Sequence, residues 1–291
     1  MKMEVTGKMF CVLMLLLHKS VQQQAFNNNA TLNLPTNYTV GWMRTLDDEK
    51  LISEVNIPGT HDTMALLQVP GSQCQSWPLE NQLKAGIRYL DLRVYGRFVI
   101  IMHGVIPQFT TFAEVFNTTK NFLSQYKTET VLMRVKEEFG GNITEKAIIQ
   151  VKNDPGCWIS NKIPRIGDVR GKIVFVQKNS FKLGIPLLET DQKSDYKVKN
   201  ISEKEVKITE HLKQALGALK TDRAVLSYSS GTGLPLWRIW NTPNHVAKKI
   251  NPWLYGYLRG ISKQNPKGCF GIIAMDFPGF DLIQQIIGFN N

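Results

Sequence analysis

Short apolar, β-branched runs alternate with stretches of helical spacing along most of this chain. Leu51–Ile57 is the first run. It breaks at Pro58-Gly59, which predicts a strand ending in a polar loop. Tyr89–Val94 and Phe98–Met102 read as strands on either side of a Tyr95-Gly96 turn. Thr130–Val135, Lys172–Val176, Ala224–Tyr228 and Cys269–Met275 are further runs of the buried-strand kind. Leu79–Ala85 has helical spacing, with Gly86 suited to its C-cap. Phe112, Val115, Phe116, Phe122 and Leu123 share one face of a helix over Thr111–Tyr126. Glu145–Lys152, Glu203–Leu219, Thr242–Ile250, Leu254–Ile261 and Leu282–Gly288 carry helical patterns. Trp42-Met43 with Asp47–Lys50 reads as a short helix ahead of the first strand. Strands that alternate with helices call for a parallel sheet with crossovers, an α/β fold. Polar groups stand at strand ends in both halves of the chain. One closed TIM-like (β/α) barrel therefore fits better than an open sheet, as a single domain over about residues 40–291.

Composition narrows the class. Of 291 residues, 43% are hydrophobic and 20% charged, so the chain can bury a core and is not disordered. The formal charge of +11 is scattered, which suits an anionic partner such as a phospholipid surface. No basic stripe or nucleic-acid motif is present, so nucleic acid is not an expected partner. There is no G-x-S-x-G, Walker loop, H-E-x-x-H or C-x-x-C, which removes the commonest serine hydrolase, nucleotide and zinc chemistries.

The N-terminus changes the expected compartment. Lys2 and Lys8 precede the apolar run Met9–Leu17, and Ser20–Gln24 leads to Ala25. A charged n-region, a short h-region and a cleavage zone make residues 1–25 an expected signal peptide, and the protein a secreted one. N-x-S/T triplets at Asn29, Asn37, Asn117, Asn142 and Asn200 agree with export. Cys11 falls in the leader. Cys74, Cys157 and Cys269 would then permit one disulfide.

Three β-rich stretches deliver titratable groups at or near their ends: His61-Asp62, Asp91-Leu92-Arg93, and Met102-His103. If those ends converge, two His, two Asp and one Arg form a site suited to a phosphodiester. Cleavage by an internal hydroxyl needs a base for that hydroxyl, an acid for the leaving oxygen and positive charge on the phosphate. Histidine serves both proton roles because its pKa lies near neutrality. An arginine offers a planar fork that never loses its charge.

Pro58-Gly59-Thr60-His61-Asp62, Asp91-Leu92-Arg93, Met102-His103-Gly104, Val135-Lys136-Glu137-Glu138 and Met275-Asp276 occur in an order that resembles the X-type catalytic domain of phosphatidylinositol-specific phospholipase C, bacterial type. Gly167–Lys172, Tyr196-Lys197-Val198 and Trp240-Asn241-Thr242-Pro243 extend the resemblance over about residues 40–285. It implies a distorted barrel with an incomplete ring. It implies His61 as base on the inositol 2-hydroxyl, His103 as acid on the diacylglycerol oxygen, Asp276 behind His61 and Asp62 behind His103. The implied products are diacylglycerol and inositol 1,2-cyclic phosphate. Arg93 stands where the calcium-dependent branch carries an acidic ligand, so neither metal nor cofactor is expected. Asp91 is expected to brace Arg93. Lys136, Glu138, Lys178 and Tyr196 are expected around the inositol ring, and Trp240 at the membrane. Ser194 departs from the pattern, since the bacterial relatives carry Asp there, and Asp195 is adjacent. The substrate implied is an inositol phospholipid or a glycosylated inositol-lipid anchor. The rivals are a metal-dependent glycerophosphodiesterase and a secreted lipid- or glycan-binding protein on the same barrel.

Overall fold

The computed structural model describes residues 25–291, apart from 70, 97, 140–143, 179–180, 219 and 234–240. The strands are β1 (Ile57–Thr60), β2 (Tyr89–Tyr95), β3 (Ile100–His103), β4 (Ile106–Thr111), β5 (Val131–Glu137), β6 (Cys157–Trp158), β7 (Ile173–Val176), β8 (Leu187–Glu189), β9 (Ala224–Tyr228) and β10 (Ile272–Met275). Their order across the sheet is β6-β7-β5-β2-β1-β10-β9-β8, and every pairing on that path is parallel. The far ends approach each other through an isolated parallel bridge, Val176↔Ile185. There Gln177 N donates to Ile185 O at 3.0 Å and Ile185 N to Phe175 O at 2.9 Å. The ring is thus thinnest at the β7/β8 seam, which makes this a distorted TIM-like (β/α) barrel. The antiparallel pair β3–β4 hangs off the end of β2.

The helices are α1 (Leu79–Ala85), α2 (Phe112–Gln125), α3 (Thr144–Lys152), α4 (Ile166–Val169), α5 (Ile201–Gly217), α6 (Pro243–Gln264) and α7 (Phe280–Ile287). The capping box of Thr111 and Glu114 starts α2, and the Asn200 side chain caps α5. Strands β1, β7 and β10 are buried along their whole length, as parallel strands covered on both faces must be. The two helices expected at 242–250 and 254–261 are one, running through Pro252. Proline removes one helical hydrogen bond. The buried stripe Val246, Ala247, Ile250, Leu254 and Leu258 continues across it and holds the helix together.

The first strand is displaced from its expected place. Leu51–Ile57 holds a 3-10 turn at Ile52–Glu54, and the strand is Ile57-Pro58-Gly59-Thr60 itself. Pro58 serves this parallel strand through its carbonyl, which accepts from Arg88 N at 2.9 Å. Gly59 is required because a Cβ there would lie 2.7 Å from the Tyr89 ring. The run read as a strand from Phe98 begins at Ile100, and β4 was not expected from its mixed Pro, Gln and Thr content. The short elements β6, β8 and α4 carry too few residues to show a period. The expected helix near Trp42 is a 3-10 turn, Trp42–Thr45, which does not extend to Asp47–Lys50.

A buried ion pair ties the lead-in segment to the barrel. Arg88 Nη2 lies 2.9 Å from Glu129 Oε2, and both side chains are fully buried. Arg88 also donates to the carbonyls of Leu83, Ile87 and Val40, and Glu129 accepts from Met43 N. Removing one member leaves the other charged and buried. Arg88→Met is therefore expected to cost about 3–5 kcal/mol. In a domain this size that lowers the melting temperature by roughly 10 °C. Calorimetry on Arg88→Met, beside Arg88→Met/Glu129→Leu, checks this; the double variant should recover much of the loss.

Candidate active site

The C-terminal ends of β1, β2, β5, β9 and β10 converge on one cluster. His61 follows β1, and its backbone N–H donates to Met275 O at the end of β10. Gln75 Nε2 donates to both His61 O and Met275 O, at 2.8 and 2.9 Å, and locks the two strand ends together. Asp62 (φ 41°) and Phe277 (φ 46°) occupy the left-handed region immediately beside the site. For a phenylalanine that conformation is strained, and such strain gathers where surrounding structure fixes functional groups.

Five groups form the centre, with His61, Asp62 and Asp276 buried and Arg93 and His103 partly so. The Nδ1–H of His61 faces Asp276 Oδ1 at 2.9 Å. Arg93 Nη2 donates to His61 Nε2 at 2.8 Å, so Nε2 carries the lone pair in this geometry. Asp62 lies between the two histidines: Oδ2 is 3.2 Å from His103 Nε2 and 3.5 Å from His61 Nε2, while Oδ1 meets Arg93 Nε. His103 Nδ1 faces Ser72 O, at 2.5 Å. Burial works against the imidazolium of His61, but Asp62 and Asp276 outweigh it and raise its pKa above 6.5. Burial also opposes the guanidinium of Arg93, yet Asp62 and Asp91 raise its pKa, so its charge is fixed. The Tyr196 ring lies tilted beside His61, with centroids 5.1 Å apart, and Tyr228 meets it edge-on at 5.6 Å.

This cluster opens into a cavity of about 790 Å³ lined by His61, Arg93, Arg134, Lys136, Lys178 and Tyr196, among others. Along β2 and β5, residues of one face alternate. The register pairs Asp91 with Arg134 and Arg93 with Lys136. Lys136 Nζ donates to Glu138 Oε1 at 3.2 Å, and Glu138 also stands 3.5 Å from Arg93 Nη1. Lys178 pairs with Glu189 at 2.6 Å. Glu189 in turn meets Arg134 at 3.0 Å.

The structure gathers His61, Asp62, Arg93, His103 and Asp276 as the sequence predicts. It adds a nearer partner to one expected pair. Asp91 is 4.0 Å from Arg93 but only 3.1 Å from Arg134, so Arg134 is its close partner. Burial raises the pKa of Asp91, but Arg134 and Arg93 hold it at about 2. Asp195 turns away from the cavity and pairs with Lys207 and His211. The Trp240 expectation lies outside the described residues. Cys74, Cys157 and Cys269 are all free thiols, so no disulfide forms among the described residues. Sequence reading missed Arg134, Glu189, Asp191 and Tyr228. The period of two that links Arg134 to Lys136 was the available signal for the first.

Among the described residues, His61, Asp62 and Cys74 are the group whose ligand atoms come within 4.8 Å of one another. Burial pushes the Cys74 thiol well up, and Arg93 already neutralises Asp62. That donor set is a poor match for a divalent ion.

Comparisons with known proteins show the family. Residues 50–179 match the family described as phosphatidylinositol-specific phospholipase C, X domain. The chain is 31% identical over 277 residues to a 1-phosphatidylinositol phosphodiesterase of Listeria monocytogenes, covering 86% of this chain and 84% of that protein. It is 25% identical over 305 residues to one of Staphylococcus aureus, covering 86% and 93%. The solved phosphatidylinositol-specific phospholipase C of L. monocytogenes superposes with a TM-score of 0.74 at 29% identity, over 87% of this chain and 99% of that one.

Proposed function

The chain belongs to the phosphatidylinositol-specific phospholipase C family, and from that premise we propose that it cleaves the glycerol-side phosphodiester of inositol phospholipids. The products are diacylglycerol and inositol 1,2-cyclic phosphate. One observation carries this reading: Asp62 stands between two imidazoles and pairs with the Arg93 guanidinium, and His61 and Arg93 line a cavity that suits a ring bearing hydroxyls. His61 Nε2 takes the proton of the 2-hydroxyl, and Asp276 stabilises the imidazolium through Nδ1–H. Arg93 moves from His61 Nε2 onto a phosphate oxygen. The proton shared by Asp62 and His103 passes to the departing diacylglycerol oxygen. Each proton removed is matched by one delivered, and no metal takes part.

The test is turnover of phosphatidylinositol in mixed micelles, with and without EDTA, read by phosphorus NMR. A cyclic phosphate product that survives EDTA is expected. A product requiring added divalent metal, or no product at all, would sink this mechanism.

A membrane surface is the partner this reading requires. Of the large apolar side chains exposed among the described residues, Val69, Tyr95, Phe98, Val105, Phe109 and Phe139 all come from segments at the rim beside His103, Arg93 and Glu138. Phe109 (φ 53°) and Phe139 (φ 60°) hold left-handed backbone, which bulky residues avoid. Phe109 is 83% exposed and Phe139 60%. Tyr95 and Phe139 meet edge-on with centroids 6.0 Å apart, and this exposed apolar set with net charge +11 suits an anionic bilayer. Phe109→Ser/Phe139→Ser is expected to weaken sedimentation with phosphatidylinositol vesicles about tenfold or more, given the transfer energy of two aromatic side chains. Hydrolysis of soluble inositol 1,2-cyclic phosphate should be unchanged. Equal loss in both assays would count against the rim.

Export completes the proposal. It rests on the leader pattern and on Asn29, Asn37, Asn117 and Asn200, which are exposed. Ala25 is buried, and its carbonyl accepts from Gly279 N at 2.8 Å. A cut after Ala25, as residues 1–25 would give, removes those contacts, so the cut is proposed to fall before Ala25. Outside the cell, glycosylated inositol-lipid anchors become a second source of the same headgroup, and anchored glycoproteins belong beside the free lipid in the turnover assay.

A further inference from the structure

Arg134, a buried cation in the cavity lining, takes no part in the steps proposed above. It stands in the middle of β5 and reaches three other strands. Nη1 donates to Asp91 Oδ1 of β2 at 3.1 Å and to the Tyr228 hydroxyl of β9. Nη2 meets Glu189 Oε1 of β8 at 3.0 Å. Glu189 in turn takes Lys178, just past β7, at 2.6 Å. The guanidinium is thereby anchored to both sides of the thin β7/β8 seam. Its partner Asp91 leads from there to the catalytic cluster. Asp91 Oδ2 accepts from Asp62 N at 3.4 Å and lies 4.0 Å from Arg93 Nη2. Asp91 N donates to Thr63 Oγ1 at 2.8 Å, and Thr63 N donates to Asp91 O at 3.0 Å. Asp91 thus braces the left-handed bend at Asp62, φ 41°, which sets that carboxylate between His61 and His103. A carboxylate buried this deep keeps its charge only beside a cation, and Arg134 is closer to it than Arg93.

We propose that Arg134 is a positioning residue that acts through Asp91: by holding that carboxylate in place, it fixes the bend that seats Asp62 and steadies the Arg93 guanidinium. The inference rests on the phospholipase reading for the reaction this geometry serves. The electrostatics follow the same chain of contacts. Burial works against the Asp91 carboxylate, yet Arg134, then Arg93 and His61, hold its pKa at about 2. The charged and titratable groups that face Asp91 are Arg134 of β5, Arg93 of its own strand, His61 and Asp62 after β1, and the Tyr89 and Tyr228 hydroxyls, with Glu189 of β8 beyond Arg134. Without Arg134 the effect of burial prevails, and the acid keeps its proton to higher pH. A neutral Asp91 is a weaker acceptor for Asp62 N and no counter-charge for Arg93. Asp62 then shifts from its place between the histidines, and proton delivery through His103 suffers with the alignment of the phosphate.

The experiment compares wild type, Arg134→Met, Arg134→Lys and Arg134→Met/Asp91→Asn. It measures kcat and KM for phosphatidylinositol in micelles, and the melting temperature from about pH 4 to pH 7. Arg134→Met should lower kcat about a hundredfold with KM within about threefold, the cost of a small misplacement of reacting groups. Arg134→Lys keeps a cation beside Asp91 and should restore part of that loss. In Arg134→Met the Asp91 pKa moves above its unfolded value of about 3.9, so the folded protein holds a proton that the unfolded chain releases, and stability falls as pH rises. The melting deficit against wild type should therefore widen with pH, and Asp91→Asn should remove the widening. Arg134→Gln, which keeps a donor but no charge, should give the same results and replaces Arg134→Met if that variant does not fold. A deficit that stays constant with pH would overturn the inference, since simple loss of packing behaves that way. A rise in KM with kcat unchanged would also overturn it, by making Arg134 a contact of the bound ring. A wild type without turnover sinks the phospholipase reading and the positioning role with it. A wild type that turns over beside an equally fast Arg134→Met sinks the positioning role alone.

Discussion

Arg93→Lys is expected to lower kcat/KM for phosphatidylinositol by about a thousandfold, with most of the loss in kcat. Charge is conserved in this substitution, so the size of the loss measures geometry. Arg93 uses three separate nitrogens in this structure. Nε meets Asp62 Oδ1, Nη2 reaches His61 Nε2 at 2.8 Å, and Nη1 stands 3.5 Å from Glu138 Oε1. A lysine ammonium is a single point donor on a flexible stem and cannot hold Asp62 while also serving a phosphate oxygen. Asp62 would then be released from the position between His61 and His103. Phosphate stabilisation and proton delivery should fail together. Removal of an oxyanion-stabilising donor alone is worth about a hundred- to a thousandfold, so a combined failure belongs at the upper end. Steady-state kinetics on micelles check this, beside circular dichroism to show an intact fold. A loss below about tenfold would mean that Arg93 acts as a mere counter-charge, and the bidentate argument would fall.

What could be read from the sequence, and what could not, follows from how far each signal reaches. The helices α1, α2 and α5 and the strands β2, β5, β7, β9 and β10 announce themselves by runs of five or more periodic residues, and the structure has them at nearly the expected bounds. β6, β8 and α4, two to four residues long and outside any longer apolar run, leave no period to detect. The cluster was legible because His61-Asp62, His103 and Asp276 stand at or just past strand ends and Arg93 near one. Asp191 was not legible in that way. It follows β8, a strand three residues long, and only packing reveals that it lines the cavity. The partnership of Asp91 with Arg134 was hidden for another reason. Parallel register puts residues forty-three positions apart side by side, and no local spacing encodes that.

His61→Ala is expected to abolish turnover to within assay background, a loss of about 10⁴-fold or more, because the base and its coupling to Asp276 and Arg93 disappear together. Asp276→Asn separates the base from its support. In wild type, burial opposes the charged imidazole while Asp62 and Asp276 favour it, and the net pKa lies above the ordinary 6.5. A general base works unprotonated, so the acid limb of kcat/KM should rise with pH through that raised value. Removing the Asp276 charge takes away one of the two groups that raise it. The limb should therefore move to lower pH in Asp276→Asn. The plateau should fall at the same time, by about a hundredfold or more, since the imidazolium formed in the transition state loses its counter-charge and the Nδ1–H loses its acceptor at 2.9 Å. The two changes run in opposite directions at low pH, which separates this account from simple damage to the site. A variant that only unfolds or misplaces His61 lowers the plateau without shifting the limb. A limb that stays in place, or moves to higher pH, would mean that another group titrates there, and His61 would lose its role as base.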